Sequence, residues 1–164
     1  MQETTMNKPL RRKDRELTVA EALRVINESD FGVMSTVDAQ GVPYGVPIHF
    51  ALEGNKLYFH GTASEDSRRA LNLQVNDRVS ICFVRHCRVV QDELSTDYAC
   101  TIVSGRVCLA EGEDKAKCIN ALIRRFAPDN SPERNAKELT ESLHATKWWM
   151  VEIEKVTGKC RGKF

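Results

Sequence analysis

The sequence predicts a mainly β protein, an antiparallel barrel of roughly six strands with helices at its periphery. Apolar residues alternate at period two in several runs, among them Val79, Ile81 and Phe83, and Trp149, Val151 and Ile153. Short turn sequences separate the early runs, Asp38-Ala39-Gln40-Gly41 and Glu53-Gly54-Asn55, where parallel strands would need crossover helices. Neither G-x-G-x-x-G after a strand nor G-x-x-x-x-G-K-[ST] occurs. Rossmann-type dinucleotide binding and P-loop phosphate chemistry are therefore not expected.

Taken in order, residues 1–16 are polar and are expected to form a flexible or arm-like N-terminus on a single domain spanning 1–164. Thr18 and Glu21 make a T-x-x-E capping box. Val19, Ala22, Leu23 and Ile26 follow at helical spacing, which predicts a helix over 18–28. Residues 31–37 read as a strand, and residues 42–52 as a second one containing Pro43, Gly45 and Pro47. Proline cannot donate to a ladder, so this strand is an edge, is bulged, or turns its inner side to a ligand. Residues 56–60 are the third strand of an antiparallel meander.

A short helix is expected over 64–75, with Ser64 as N-cap and Glu65 and Asp66 in its first turn. Residues 78–86 alternate as a fourth strand, and the polar stretch 88–97 reads as a loop. In the fifth strand, 98–110, Thr101, Val103 and Gly105 share one face and Ile102, Ser104 and Arg106 the other. Neither face is wholly apolar, which suits a barrel strand near a ligand or partner. Ile119, Leu122, Ile123 and Phe126 form one apolar stripe on a helix over 111–127. Pro132 suits the first turn of another helix ending near His144, and residues 147–156 close the barrel.

Composition narrows the function. The chain has 164 residues, 41% hydrophobic and 29% charged, with 24 basic against 23 acidic side chains and a net charge of +1. That balance gives no electrostatic reason to expect nucleic acid or an anionic membrane as partner, so any basic site is local. No stretch reaches the ~18 apolar residues of a membrane span, and the N-terminal residues lack the apolar core of a secretion signal. Six cysteines without a C-x-x-C pair read as reduced, small apolar residues in a cytoplasmic protein, and no metal site is expected.

The segment His60-Gly61-Thr62-Ala63-Ser64-Glu65-Asp66-Ser67-Arg68-Arg69 is the most informative. It leaves a strand, passes glycine and small hydroxyl residues, and enters a helix carrying two arginines. Free backbone N–H groups, hydroxyl donors and guanidinium forks are the parts that hold a phosphate dianion. The same residue types would also serve a capped surface helix with solvated arginines. Within Gly45-Val46-Pro47-Ile48-His49-Phe50 a proline leaves a backbone position unpaired, so its neighbours can face a planar ligand edge or simply form a sheet edge. Trp148 and Trp149 face opposite sides of one strand, so one packs in the core and the other is left for a ring or an interface.

Beyond these parts, the stretches Phe31-Gly32-Val33-Met34-Ser35-Thr36-Val37, Gly41 through Phe50 and Leu57-Tyr58-Phe59-His60-Gly61-Thr62-Ala63 form an ordered set. Ser67-Arg68-Arg69, Asn72-Leu73, Asn76-Asp77-Arg78-Val79 and Ile153 through Lys159 complete it. In order and spacing the set resembles the FMN-binding split barrels related to pyridoxamine 5′-phosphate oxidase, and within them the nitroimidazole-resistance subgroup. The resemblance implies a six-stranded split β-barrel, a homodimer with FMN at the subunit interface, and an FMN-dependent oxidoreductase acting on nitroimidazoles or other nitroaromatics. It implies that Val46, Pro47, Ile48 and His49 line the flavin ring, chiefly through backbone groups. His60, Gly61, Thr62, Ser67, Arg68 and Arg69 would reach the ribityl phosphate, Trp148 would lie near the flavin, and His60 would be the catalytic candidate. The family often has Gly-Arg-Lys at Ser67-Arg68-Arg69, which leaves open which arginine touches phosphate. A haem- or flavin-binding protein without turnover, with His60 or His49 as axial ligand, is the alternative.

Overall fold

A computed structural model describes residues 8–163 apart from Leu143. Eight strands join in one antiparallel sheet: β1 (Glu16–Leu17), β2 (Gly32–Val37), β3 (Pro43–Ile48), β4 (Ala51–Glu53), β5 (Lys56–Thr62), β6 (Arg78–Val90), β7 (Ser95–Leu109) and β8 (Thr146–Arg161). The helices are α1 (Val19–Glu28), α2 (Arg68–Val75), α3 (Gly112–Phe126) and α4 (Pro132–Ser142). Thr18 caps α1 through the expected box, its side chain accepting from the Glu21 N–H while Glu21 reaches back to the Thr18 N–H. Strand β1 adds the end of the N-terminal arm to β8; residues 1–7 of that arm lie outside the described residues.

Strand order is β3-β2-β6-β7-β8-β5-β4, with β1 on β8. The strand expected over 42–52 is thus two strands at opposite ends of the sheet, and the first three strands are no meander. Laid flat, a seven-strand path would separate its ends by roughly 29 Å at the usual strand spacing. Only His49 and Phe50 link β3 to β4, a reach of roughly 11 Å. The sheet must therefore curl until its two edges meet at this linker, and that closure is the barrel. Phe50 plugs the junction, fully buried, edge-on to Phe83 at 4.7 Å and under the Arg125 guanidinium at 4.3 Å. Arg125 Nη2 also donates to the carbonyls of Ser29 at 2.6 Å and Asn27 at 3.1 Å, which ties α3 to the end of α1.

The main core lies inside the barrel around Met34, Phe50, Leu57, Phe59, Ile81, Phe83, Val103 and Val151, with Val25 and Ile26 of α1 closing one end. A second core, with Tyr58, Trp148, Met150, Cys118 and Leu122, packs α3 against the outer side of β5 and β8. Asp114 of α3 accepts from Tyr58 Oη at 3.2 Å and Lys56 Nζ at 3.0 Å, which fixes that helix on the sheet. Gly105 marks the register shift between β7 and β8, where a Cβ would run into the Glu152 carbonyl.

Two further expectations are corrected. The stretch 88–97 is not a loop, since β6 and β7 continue past the barrel as a two-stranded arm closed by a 3₁₀ turn at Gln91–Glu93. Both faces of that arm meet solvent, so burial leaves no alternation to read. Helix α2 starts at Arg68, and its N-cap is Ser67, not Ser64; the Ser67 hydroxyl accepts from the Ala70 N–H at 3.3 Å. Ser64 instead donates to the Asp66 carboxylate, and Glu65 pairs with Lys147 at 3.1 Å.

Candidate functional site

Where the two sheet edges converge, the β3–β4 linker meets the end of β5 and the start of α2. A cleft of about 310 Å³ lies there, lined by Pro47, Ile48, His49, His60, Gly61, Thr62, Arg69, Ala145 and Thr146. Seven of the sequence-derived site residues thus share one cavity. Val46 does not line it: it pairs with buried Met34, its side chain turned to the barrel interior. Strand β3 is an edge of the sheet path, so its outward backbone N–H and C=O groups have no neighbouring strand.

The arginines separate. Arg69 is partly buried, lies over the Phe59 ring at 5.5 Å and lines the cleft. Burial lowers its pKa, offset in part by Tyr44, and no carboxylate compensates it among the described residues. Its guanidinium occupies the space beside Gly61, where a Cβ would collide with Nη2 and Cζ. Glycine is what lets the cation cross the strand end. Arg68 is exposed and rests on the Tyr44 ring at 5.0 Å. Glu65 and Asp66 face other partners, as described, so neither acid neutralises the arginine turn.

His60 stands between this cleft and a second cavity of about 420 Å³ under α3 and α4, whose walls include His49, Leu122, Phe126, Leu139 and Trp148. Burial, then His49, then Arg69 push the His60 pKa below its usual 6.5, so the ring is neutral at neutral pH. Trp148 is 8% exposed, with its ring 5.6 Å from His60, while Trp149 stacks on Phe59 at 6.3 Å in the barrel core. Both indole N–H groups are buried without a partner among the described residues. His49 meets Phe126 at 4.8 Å.

Sequence reasoning missed Tyr44, the α3–α4 wall and Phe31, which lines a further cavity of about 480 Å³ with Pro47, Ile48 and His49. The stripe on α3 was visible, yet its position over β5 depends on non-local packing. No cluster of three or more potential metal ligands occurs among the described residues, and no described helix is long and apolar enough to cross a membrane.

Fold and site together define a class: a split antiparallel barrel with an uncompensated cation beside an open sheet edge. The family model described as pyridoxamine 5′-phosphate oxidase matches residues 18–160, and the chain belongs to that family. No curated protein matches the chain. Among solved structures, a candidate 5-nitroimidazole antibiotic resistance protein from Bacteroides thetaiotaomicron VPI-5482 is 23% identical at TM-score 0.73, over 88% of this chain and 85% of that one. A FAD-binding protein from Mesorhizobium loti is 18% identical at TM-score 0.65, over 91% and 97%. The heme storage protein HutZ from Vibrio cholerae is 19% identical at TM-score 0.63, over 84% and 92%. At such identities the likeness establishes the fold alone.

Proposed function

We propose that this protein is a cytoplasmic FMN-dependent oxidoreductase, active as a homodimer, that reduces planar electron-poor aromatics of the nitroimidazole type. The observation that carries the reading is Arg69, a partly buried guanidinium without a carboxylate, set against a glycine at the mouth of a cleft. A buried unpaired charge is costly, and a phosphate dianion is the partner that matches its fork. Thr62 lines the same cleft, and the Ser67 hydroxyl and the Arg68 and Arg69 N–H groups that open α2 would be further donors. The unpaired outward backbone of β3 supports the placement of the flavin ring edge along Pro47 to His49.

FMN supplies electron transfer when bound; the chain's own part is to hold and orient it. Arg69 and the α2 start bind the phosphate, Gly61 admits Arg69, and neutral His60 presents one N–H and one acceptor nitrogen between the two cavities. Trp148 and Phe126 give the second cavity aromatic walls suited to an aromatic acceptor, with Arg134 and Glu138 of α4 as polar groups on its other side. Dimerisation is supported by the outer sheet face, where Val33, Cys82 and Ile102 lie in register beside Val84 and Cys100. Phe31, 53% exposed, continues that apolar row to the cleft mouth.

The test is the absorbance spectrum of freshly purified protein and of protein titrated with FMN. A flavin band at one FMN per chain, with dimer mass in solution, is the expected result. Colourless protein that takes up no FMN overturns the proposal, and a Soret band on haem titration, lost in His60→Ala, would establish the haem-binding alternative.

A further inference from the structure

Among the described residues, one side chain–side chain hydrogen bond is fully buried. Asn72 Nδ2 donates to Thr36 Oγ1 at 2.9 Å, and Thr36 Oγ1 donates in turn to the Tyr44 carbonyl at 3.4 Å. Thr36 is 0% exposed and Asn72 4%. Thr36 sits on β2, Tyr44 is its cross-strand partner on β3, and Asn72 lies on α2 one turn beyond Arg68 and Arg69. One hydroxyl on β2 therefore joins α2, which bears both arginines, to β3, whose Tyr44 supports Arg68. Tyr44, whose backbone this node grips, is the ring on which Arg68 rests.

Stability does not explain such a pair. Asparagine is a poor interior helix residue, and two apolar side chains of the same shape would serve a core at equal or lower cost. What a directional bond adds is register: it fixes the rotation and depth of an eight-residue helix that beside Asn72 fully buries only Ala70 and packs Leu73 partly against the core.

We propose that Asn72 and Thr36 are positioning residues for the phosphate-binding turn, holding α2 so that Arg69 and the α2 N–H groups converge on one anion. The inference rests on the FMN reading above and deepens it. A purely structural role predicts lost stability; positioning predicts lost affinity in a protein that stays folded.

The experiment compares FMN affinity and melting temperature in wild type, Thr36→Ser, and the apolar double variant Thr36→Val with Asn72→Leu. The double variant is expected to melt within a few degrees of wild type, yet bind FMN at least tenfold more weakly. Thr36→Ser, which keeps the hydroxyl, is expected to retain affinity within about twofold. In an Arg69→Ala background the double substitution should cost less than it does in wild type, because part of its effect passes through that arginine. Inorganic phosphate, followed by ³¹P line broadening, serves as a second probe of the turn. Equal FMN affinity in wild type and the folded double variant overturns this inference alone. A wild-type protein that binds neither FMN nor phosphate overturns both it and the proposed function. If the double variant does not fold, Asn72→Gln decides, with unchanged affinity counting against the inference.

Discussion

Arginines cluster at two ends of this barrel, and they are treated in opposite ways. At the arm end Arg161 pairs with Asp97 at 2.6 Å and with Glu93, while Arg88 reaches Asp97 at 2.8 Å. Towards the opposite end of the β6–β7 ladder Arg106 is likewise held by Asp77 at 2.7 Å and Glu154 at 3.1 Å. At the cleft end Arg69 is partly buried, as Arg161 is, with an aromatic ring but no acid. Charge that is balanced inside the chain holds strands together; charge left unbalanced where water is scarce is poised for something the chain does not itself supply. The net charge of +1 hides this difference, because the imbalance is local.

Exchanging the two ends gives the largest expected effect. Arg69→Ala should weaken FMN binding by about 2 kcal/mol, roughly 30-fold, as loss of charge-assisted bonds to phosphate. Arg161→Ala should leave FMN affinity within about twofold and instead lower unfolding stability by about 1–2 kcal/mol, since Asp97 is left sheltered without its main partner. Calorimetric titration and urea unfolding of both variants read the contrast. It breaks if Arg161→Ala weakens FMN as much as Arg69→Ala does.

Gly61→Ala should come next, at roughly tenfold in FMN affinity, because the added methyl displaces Arg69 without removing its charge. A crystal structure of the variant should show the guanidinium swung out of the cleft. Unchanged affinity would mean that the anion does not need the cation where it now lies.

Legibility followed the range of the interaction concerned. The α1 capping box is a contact three residues long and was readable directly; of the apolar stripe on α3 only Ile119 and Leu122 reach the core, beside Cys118 and Ala121, while Phe126 stays 43% exposed. The gathering of Pro47, His49, His60, Gly61 and Arg69 was anticipated from ordered motifs, each too weak alone. The break between β3 and β4 was not visible, because apolar residues run through it and only the partners differ, β2 before and β5 after. Ser64 followed by two acids imitates a helix start, but Lys147, distant in sequence, claims Glu65 and the true cap falls three residues later. Tyr44 as a bed for Arg68 depends on β3 and α2 meeting, which no local spacing encodes.

The smallest effect concerns His60, and it reports on the cleft's field without touching Arg69. Burial, His49 and Arg69 all disfavour its protonated form, so its folded pKa lies below the 6.5 expected when unfolded. As pH falls through about 6.5 the unfolded chain takes up this proton first, and stability declines until the lower, folded pKa is passed. His60→Gln should therefore flatten stability against pH below about 6.5 and leave it unchanged near pH 8. A dianion placed on Arg69 opposes the same field, so FMN should raise the His60 midpoint in an NMR titration, towards or past its ordinary value. A midpoint indifferent to FMN would put the bound phosphate elsewhere, and the unbalanced arginine at this end of the barrel would lose the meaning assigned to it.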